Sequence, residues 1–115
     1  MTTPATGSAQ RRSDHGVLRV PAVVVMPGQQ SFEVRTLDIA PRGMDIVAPA
    51  NPRPGTTFTI KCTIPARPKG RTTIEVQAKV IHSVFCSTEN GFKIGLAFVD
   101  PPPTTSSAIR QYLKG

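Results

Sequence analysis

The chain has 115 residues, of which 14 are Lys or Arg and 7 are Asp or Glu, so its formal net charge is +7 at pH 7. This length suits one domain, and a composition of 38% hydrophobic and 18% charged residues is typical of a globular protein rather than a disordered one. The longest uncharged apolar stretch is too short to cross a bilayer, and the first ten residues lack the basic and apolar regions of a secretory signal. We therefore expect a cytoplasmic protein whose basic excess favours an anionic partner of unspecified kind.

Residues 1–10 are small and polar and predict a flexible tail, followed by one domain over residues 11–115. Within the domain, six stretches each predict a β-strand: the first is rich in β-branched valine, and apolar residues alternate in the others, most cleanly in the last three. The second stretch changes its apolar face near Thr36, which indicates a bulge or the end of a strand. The six predicted strands cover residues 20–26, 31–38, 44–48, 58–64, 74–80 and 92–98.

The C-terminal part of the chain predicts a single short helix. Three prolines at 101–103 precede four Thr and Ser residues of the type that caps helix N-termini, and an apolar stripe of Ile109, Tyr112 and Leu113 follows. We expect this stripe to dock on an open end or a face of the sheet. The predicted fold class is all-β, a six-stranded antiparallel β-barrel with a short C-terminal α-helix.

The sequence does not predict an enzyme, a metal site or a bound cofactor. Its only histidines are His15 and His82, its seven acidic residues show no pairing, and no phosphate-binding or dinucleotide-binding motif is present. His82 continues the apolar parity of residues 74–80, so it is expected to end that strand rather than act as a base. Cys62 lies on an apolar parity and is expected in the core. Cys86 lies in a loop-like stretch and has no basic neighbour that would lower its thiol pKa.

An arginine pair, Arg11 and Arg12, stands in a polar segment just before the first strand. Guanidinium groups bind phosphate bidentately and stack on purines, so a mobile arm of this kind suits a nucleotide. A solvated, charged tail is the alternative interpretation.

The turn between the second and third strands is the other candidate binding segment. It runs from Asp38 to Gly43, where Pro41 presets the turn and Gly43 permits a positive φ. Asp38 can accept hydrogen bonds from the N1–H and N2–H₂ edge of a guanine, or it can bond to its own loop.

Together these two segments resemble the PilZ domain, a family that pairs an Arg-x-x-x-Arg segment with an Asp/Asn-x-Ser-x-x-Gly turn. The resemblance covers residues 11–114. It includes LRVPAV at 18–23, PGT at 54–56, QAKV at 77–80 and GFKIGLAF at 91–98. The order and spacing of these pieces are more specific than any one of them. The resemblance implies a six-stranded antiparallel barrel with a C-terminal helix, and a bacterial receptor for cyclic di-GMP, which the family often binds as an intercalated dimer.

The resemblance also implies the binding residues. The first arginine of the family motif, which grips phosphate and stacks on guanine, matches Arg11 or Arg12. The second falls on His15 or Gly16, and Arg19 could replace it only if the arm rearranges. In the turn, the matching positions are Asp38, Ala40 in place of the family serine, and Gly43.

Three functions remain open at this stage. The first is a cyclic di-GMP receptor whose arm folds over the barrel and changes the surface offered to an effector protein. The second is a degenerate adaptor that has lost the ligand, which the substitutions at His15 or Gly16 and at Ala40 suggest. The third is a nucleic-acid binder, favoured by five basic residues and no acid over 53–71 but opposed by the scarcity of aromatic residues for base stacking.

Overall fold

The computed structural model describes residues 15–66 and 68–114. Seven strands and one helix follow one another in this part of the chain. They are β1 (Gly16–Val17), β2 (Pro21–Val25), β3 (Ser31–Ala40), β4 (Gly43–Ala48), β5 (Thr57–Pro65), β6 (Arg71–Cys86), β7 (Gly91–Val99) and α1 (Pro103–Lys114). The predicted tail at residues 1–10 lies outside the described residues.

The strands form one antiparallel sheet in the order β1-β3-β2-β5-β6-β7-β4, and an additional pairing of β3 with β4 closes it. Closure removes most sheet edges, which is the usual advantage of a barrel. The predicted six-stranded antiparallel barrel is therefore confirmed, with β1 as an extra strand. Two residues are too few to show an alternating pattern, so β1 could not be read from the sequence.

The core fills the inside of the barrel with one face of each long strand. Its largest fully buried apolar side chains are Ile39, Ile46, Ile60, Ile64, Ile94, Ile109 and Val80. Burial of each such side chain contributes about 1.5–3 kcal/mol. Cys62 lies in this core, as predicted. The predicted bulge in β3 is also confirmed, because the pairing of β3 with β4 shifts register between Thr36 and Asp38.

The helix α1 packs its apolar stripe on the barrel, as predicted. Ile109 is fully buried, and Tyr112 and Leu113 pack against the same core. The prediction of a Thr or Ser N-cap was wrong, since α1 begins at Pro103 and the carbonyl of Pro102 accepts a hydrogen bond from Ser106 N–H at 3.0 Å. Proline suits the first helical position because its missing N–H has no partner there. Among the described residues, no helix is long and apolar enough to span a membrane.

The strand β6 differs most from its prediction. It continues past Val80 to Cys86, and its register against β7 shifts between Val80 and His82. The bulge reverses the parity of the strand, so His82 is exposed on the outside of the barrel instead of ending the strand on its apolar face. Cys86 is the last residue of β6, not part of a loop.

Candidate functional site

The segment that enters the barrel runs beside β3. Gly16 pairs with Ile39 and Val17 with Asp38, and Leu18 N–H donates to the carbonyl of Leu37 at 3.0 Å. The chain that follows the arginine pair therefore reaches the strand that carries Asp38. Arg11 and Arg12 themselves lie outside the described residues.

Thr36 fixes the point at which this segment joins the barrel. Its side chain is buried at the β3 bulge. The hydroxyl oxygen accepts a hydrogen bond from Val20 N–H at 2.9 Å and donates one to the carbonyl of Leu18. Such buried bonds between a side chain and the backbone hold a non-strand segment in a defined position. Nothing in the sequence pattern marked Thr36 for this role.

The β3–β4 hairpin turns through Pro41 and Arg42, and Ala40 pairs with Gly43 at its base. The carbonyl of Arg42 accepts a hydrogen bond from Phe98 N–H at 2.8 Å, which ties the turn to β7. A Cβ atom on Gly43 would lie under 3.0 Å from the carbonyl oxygen of Leu96. Gly43 is not among the glycines with positive φ. The positive φ that a glycine permits is therefore not adopted here, and glycine is needed because β7 approaches so closely.

A row of residues crosses four neighbouring strands on the outside of the barrel. Asp38 pairs with Asp45, Asp45 with Gly95, and Gly95 with His82. Asp45 N–H donates to Asp38 Oδ1 at 3.3 Å, which orients the Asp38 carboxylate. Gly95 leaves room for the imidazole of His82, whose Nε2 lies 2.6 Å from the place a Cβ would occupy.

Two carboxylates and several basic groups meet along this row. Burial, and then the charge of Asp38, raise the pKa of Asp45 above its ordinary value, while Lys93, His82 and His15 act in the opposite direction. We call Asp38, Asp45, His82 and Lys93 the polar strip. Sequence reasoning did not assign Asp45 or Lys93 to a site. Their outward parity was visible, but the register that brings Asp45 beside Asp38 and Lys93 near Asp45 was not.

Arg19 does not lie at the polar strip. Its Nη2 atom is 3.3 Å from Oε2 of Glu89, and the hydrogen bond from Arg19 holds the pKa of Glu89 below its ordinary value. Arg35 also contacts Glu89, and its guanidinium donates to the Glu89 carbonyl at 2.9 Å. Both arginines therefore tie the turn between β6 and β7 to the barrel, and the guanidinium of Arg19 contacts Glu89 there.

The end of α1 rests on β1. The hydroxyl of Tyr112 donates to the carbonyl of Val17, and Leu113 Cδ2 lies 3.1 Å from the place a Cβ of Gly16 would occupy. A side chain at Gly16 would therefore press on the end of the Leu113 side chain. His15, one residue earlier, is half-buried. In residues 15–66 and 68–114, no three His, Cys, Asp or Glu side chains are placed to hold a metal ion.

Comparison with known proteins agrees with this architecture. The family model of the PilZ domain matches residues 9–115. A solved structure of the Bacillus subtilis inhibitor of motility, MotI/DgrA, superposes with a TM-score of 0.76 at 14% sequence identity. The match covers 88% of this chain and 48% of that protein, so this chain spans about half of its length. No curated protein matches the sequence.

Proposed function

Because the chain belongs to the PilZ domain family, we propose that it is a cytoplasmic bacterial receptor for cyclic di-GMP. The ligand binds between the N-terminal arm with its arginine pair and the β3–β4 hairpin. The observation that carries the proposal is the pairing of Val17 with Asp38. It brings the chain that follows the arginine pair beside the hairpin that carries the other half of the family motif.

Each half of the site supplies a different interaction. Arg11 and Arg12 bind the phosphates bidentately and stack on a guanine base. Asp38 accepts hydrogen bonds from the N1–H and N2–H₂ edge of a guanine, and Gly43 keeps the hairpin against β7. Lys93, on the outer face of β7, adds positive charge that attracts the phosphates. Closure of the arm over the barrel changes the surface that an effector protein meets.

The packing of Gly16 favours one register for the arm. Leu113 Cδ2 lies 3.1 Å from the place a Cβ of Gly16 would occupy, so an arginine at that position would require the Leu113 side chain to shift by a few tenths of an ångström. His15, one residue earlier, is half-buried. We therefore favour the register in which the motif begins at Arg11 and His15 stands at the position of the second arginine.

Calorimetric titration of the full chain with cyclic di-GMP tests the proposal. Substitution of Asp38 by Ala removes charged hydrogen bonds worth about 1.5–3 kcal/mol, so we expect the affinity to fall about 10- to 100-fold. The matched control is Glu33→Ala, because Glu33 is an exposed carboxylate of the same strand that pairs with Val23, away from the hairpin turn. Equal affinities of the two variants would contradict the assignment of Asp38. Absence of binding by the native chain would contradict the receptor function itself.

The second candidate function is an adaptor that acts through protein contacts without the ligand. His15 and Ala40 favour it, because the loss of a phosphate-binding guanidinium and of one hydroxyl together weakens binding by about two to three tenfold steps. Ala40 is half-buried at the base of the hairpin, so a serine fits there. The adaptor function predicts that the native chain does not bind cyclic di-GMP. It also predicts that the double variant His15→Arg, Ala40→Ser does bind it. Tight binding by the native chain would rule out the adaptor.

A further inference from the structure

The strand β6 is longer than β5, the strand that pairs with one of its two edges. Its pairing with β5 ends where Thr57 meets Lys79. Val80 then exchanges hydrogen bonds with the chain just before β5, donating to the carbonyl of Thr56 at 2.8 Å and accepting from Gly55 N–H at 2.7 Å. Residues 81–86 continue beside β7 alone among the described strands. We call this stretch the β6 edge.

The alternation of backbone groups shows which residues of the β6 edge direct their polar groups outward. Phe98 N–H donates to Arg42, so the even-numbered residues of β7 direct their backbone groups toward β4 and away from β6. Ser83 and Phe85 pair with two of these residues, Ile94 and Phe92. Their own N–H and C=O groups therefore point to the open side. Within the described part of the chain, no turn or loop forms a backbone hydrogen bond with either residue.

Three side chains of the β6 edge are apolar and exposed. Val84 is 59% exposed, Phe85 57% and Ile81 51%. Residues 81–86 contain no Lys, Arg, Asp, Glu or Pro, although the chain as a whole has 14 Lys and Arg and 12 Pro. Proteins usually protect a free sheet edge with lysine or proline, because a bare edge pairs with another strand. The bulge at Ile81 is the one protective feature here, and it lies at the start of the edge.

We propose that the β6 edge is a self-association surface on which two copies of this chain pair antiparallel, with Val84 on the twofold axis. In this register Ser83 of each copy lies opposite Phe85 of the other, and each such pair exchanges both backbone hydrogen bonds. Val84 faces its own counterpart in a pair without hydrogen bonds, where side chains lie closest. A second copy is the occupant that the edge suits, because residues 81–86 contain no Lys, Arg, Asp or Glu, so self-pairing places no like charges opposite each other, and the exposed Val84 side chains of the two copies cover each other.

The mass of the full chain in solution, measured by light scattering over a concentration series, tests the proposal. We expect the native chain to reach twice the 12.3 kDa mass of one chain. Val84→Lys and Val84→Glu each place like charges opposite each other and should reduce the mass to that of one chain. An equimolar mixture of the two should restore the doubled mass. The matched control is Val23→Lys, because Val23 is an exposed valine of β2 that pairs with β3 and β5 on both sides.

A disulfide cross-link tests the register. In a Cys86→Ser background, Val84→Cys places two thiols on the twofold axis. Oxidised glutathione should then convert them into an intermolecular disulfide, whereas Val23→Cys should remain unlinked. A native chain that is monomeric at its highest soluble concentration would overturn the proposal. So would a dimer that persists in Val84→Lys or a Val84→Cys chain that does not cross-link, provided that circular dichroism and the urea midpoint show folded variants.

Discussion

Substitution of Gly43 by Ala tests the close approach of the β3–β4 hairpin to β7. The added Cβ would lie under 3.0 Å from the carbonyl oxygen of Leu96 and 3.4 Å from the Cα of Ala97. Both partners are backbone atoms, so no side-chain rotation relieves the clash. The two strands would have to separate locally by about 1 Å in a close-packed barrel. We expect a loss of about 3 kcal/mol in the free energy of unfolding, the upper end of the range for overpacking.

Urea unfolding followed by circular dichroism measures this loss. The matched control is Gly28→Ala in the turn between β2 and β3. Gly28 has a φ of 91°, and no atom lies within 4 Å of its Cβ position, so this variant bears only the cost of the left-handed backbone. That cost is about 1 kcal/mol. The two variants should therefore differ by about 2 kcal/mol, with Gly43→Ala the less stable.

Equal losses in the two glycine variants would refute the reasoning, because they would show that separating β4 from β7 costs no more than one left-handed residue. A larger loss in Gly28→Ala would refute it as well. The hairpin also carries Asp38, so Gly43→Ala should weaken cyclic di-GMP binding at temperatures where the variant is still folded.

Three further predictions concern the barrel around the site. Replacement of Thr36 by Val leaves Val20 N–H buried without its side-chain acceptor and should cost about 1–3 kcal/mol in urea unfolding, whereas Thr36→Ser should restore most of the stability. The raised pKa of Asp45 means that its ionisation opposes folding. Asp45→Asn should therefore be more stable than the native chain at neutral pH, and the advantage should vanish below the ordinary pKa of 3.8; an advantage that persists in acid would exclude this cause. Hydrogen bonding by Thr88 lowers the pKa of the Cys86 thiol, whereas burial raises that of Cys62 to about 11. Iodoacetamide should accordingly label Cys86 in the folded chain and Cys62 only after unfolding, as mass spectrometry can show.

The barrel could be predicted because the pattern that identifies each strand lies within a few consecutive residues. The alternation of Phe58, Ile60, Cys62 and Ile64 with polar residues indicates which face of β5 is buried. In β3, the change of the apolar face near Thr36 indicates the bulge. The helix stripe is equally visible, since Ile109 and its neighbours repeat at helical spacing. The prediction failed for the second half of β6, because the bulge at Ile81 reverses the parity of the strand and places His82 on the outside of the barrel.

The candidate site was only half predictable. Asp38 and Gly43 could be selected from a turn motif, but the reason for Gly43 depends on Leu96, which lies 53 positions further along the chain. The polar strip depends on register across four strands, and no local pattern encodes it. Cys86 shows the same limit, because the group that lowers its thiol pKa is a hydroxyl two residues away in a tight turn rather than a basic neighbour.

The shortness of β1 affects how stability is distributed through the chain. β1 has two residues, whereas β5 has nine and β6 has 16. Detaching β1 breaks its pairing with β3 and the Tyr112 contact, but it leaves the closed ladder of the barrel intact, so this segment opens at a much lower free energy than the whole domain. Hydrogen exchange should show it as faster exchange at Leu18 N–H than at Val76 N–H. β1 and the barrel are thus separate cooperative units, and a molecule that displaces β1 does not have to unfold the domain to do so.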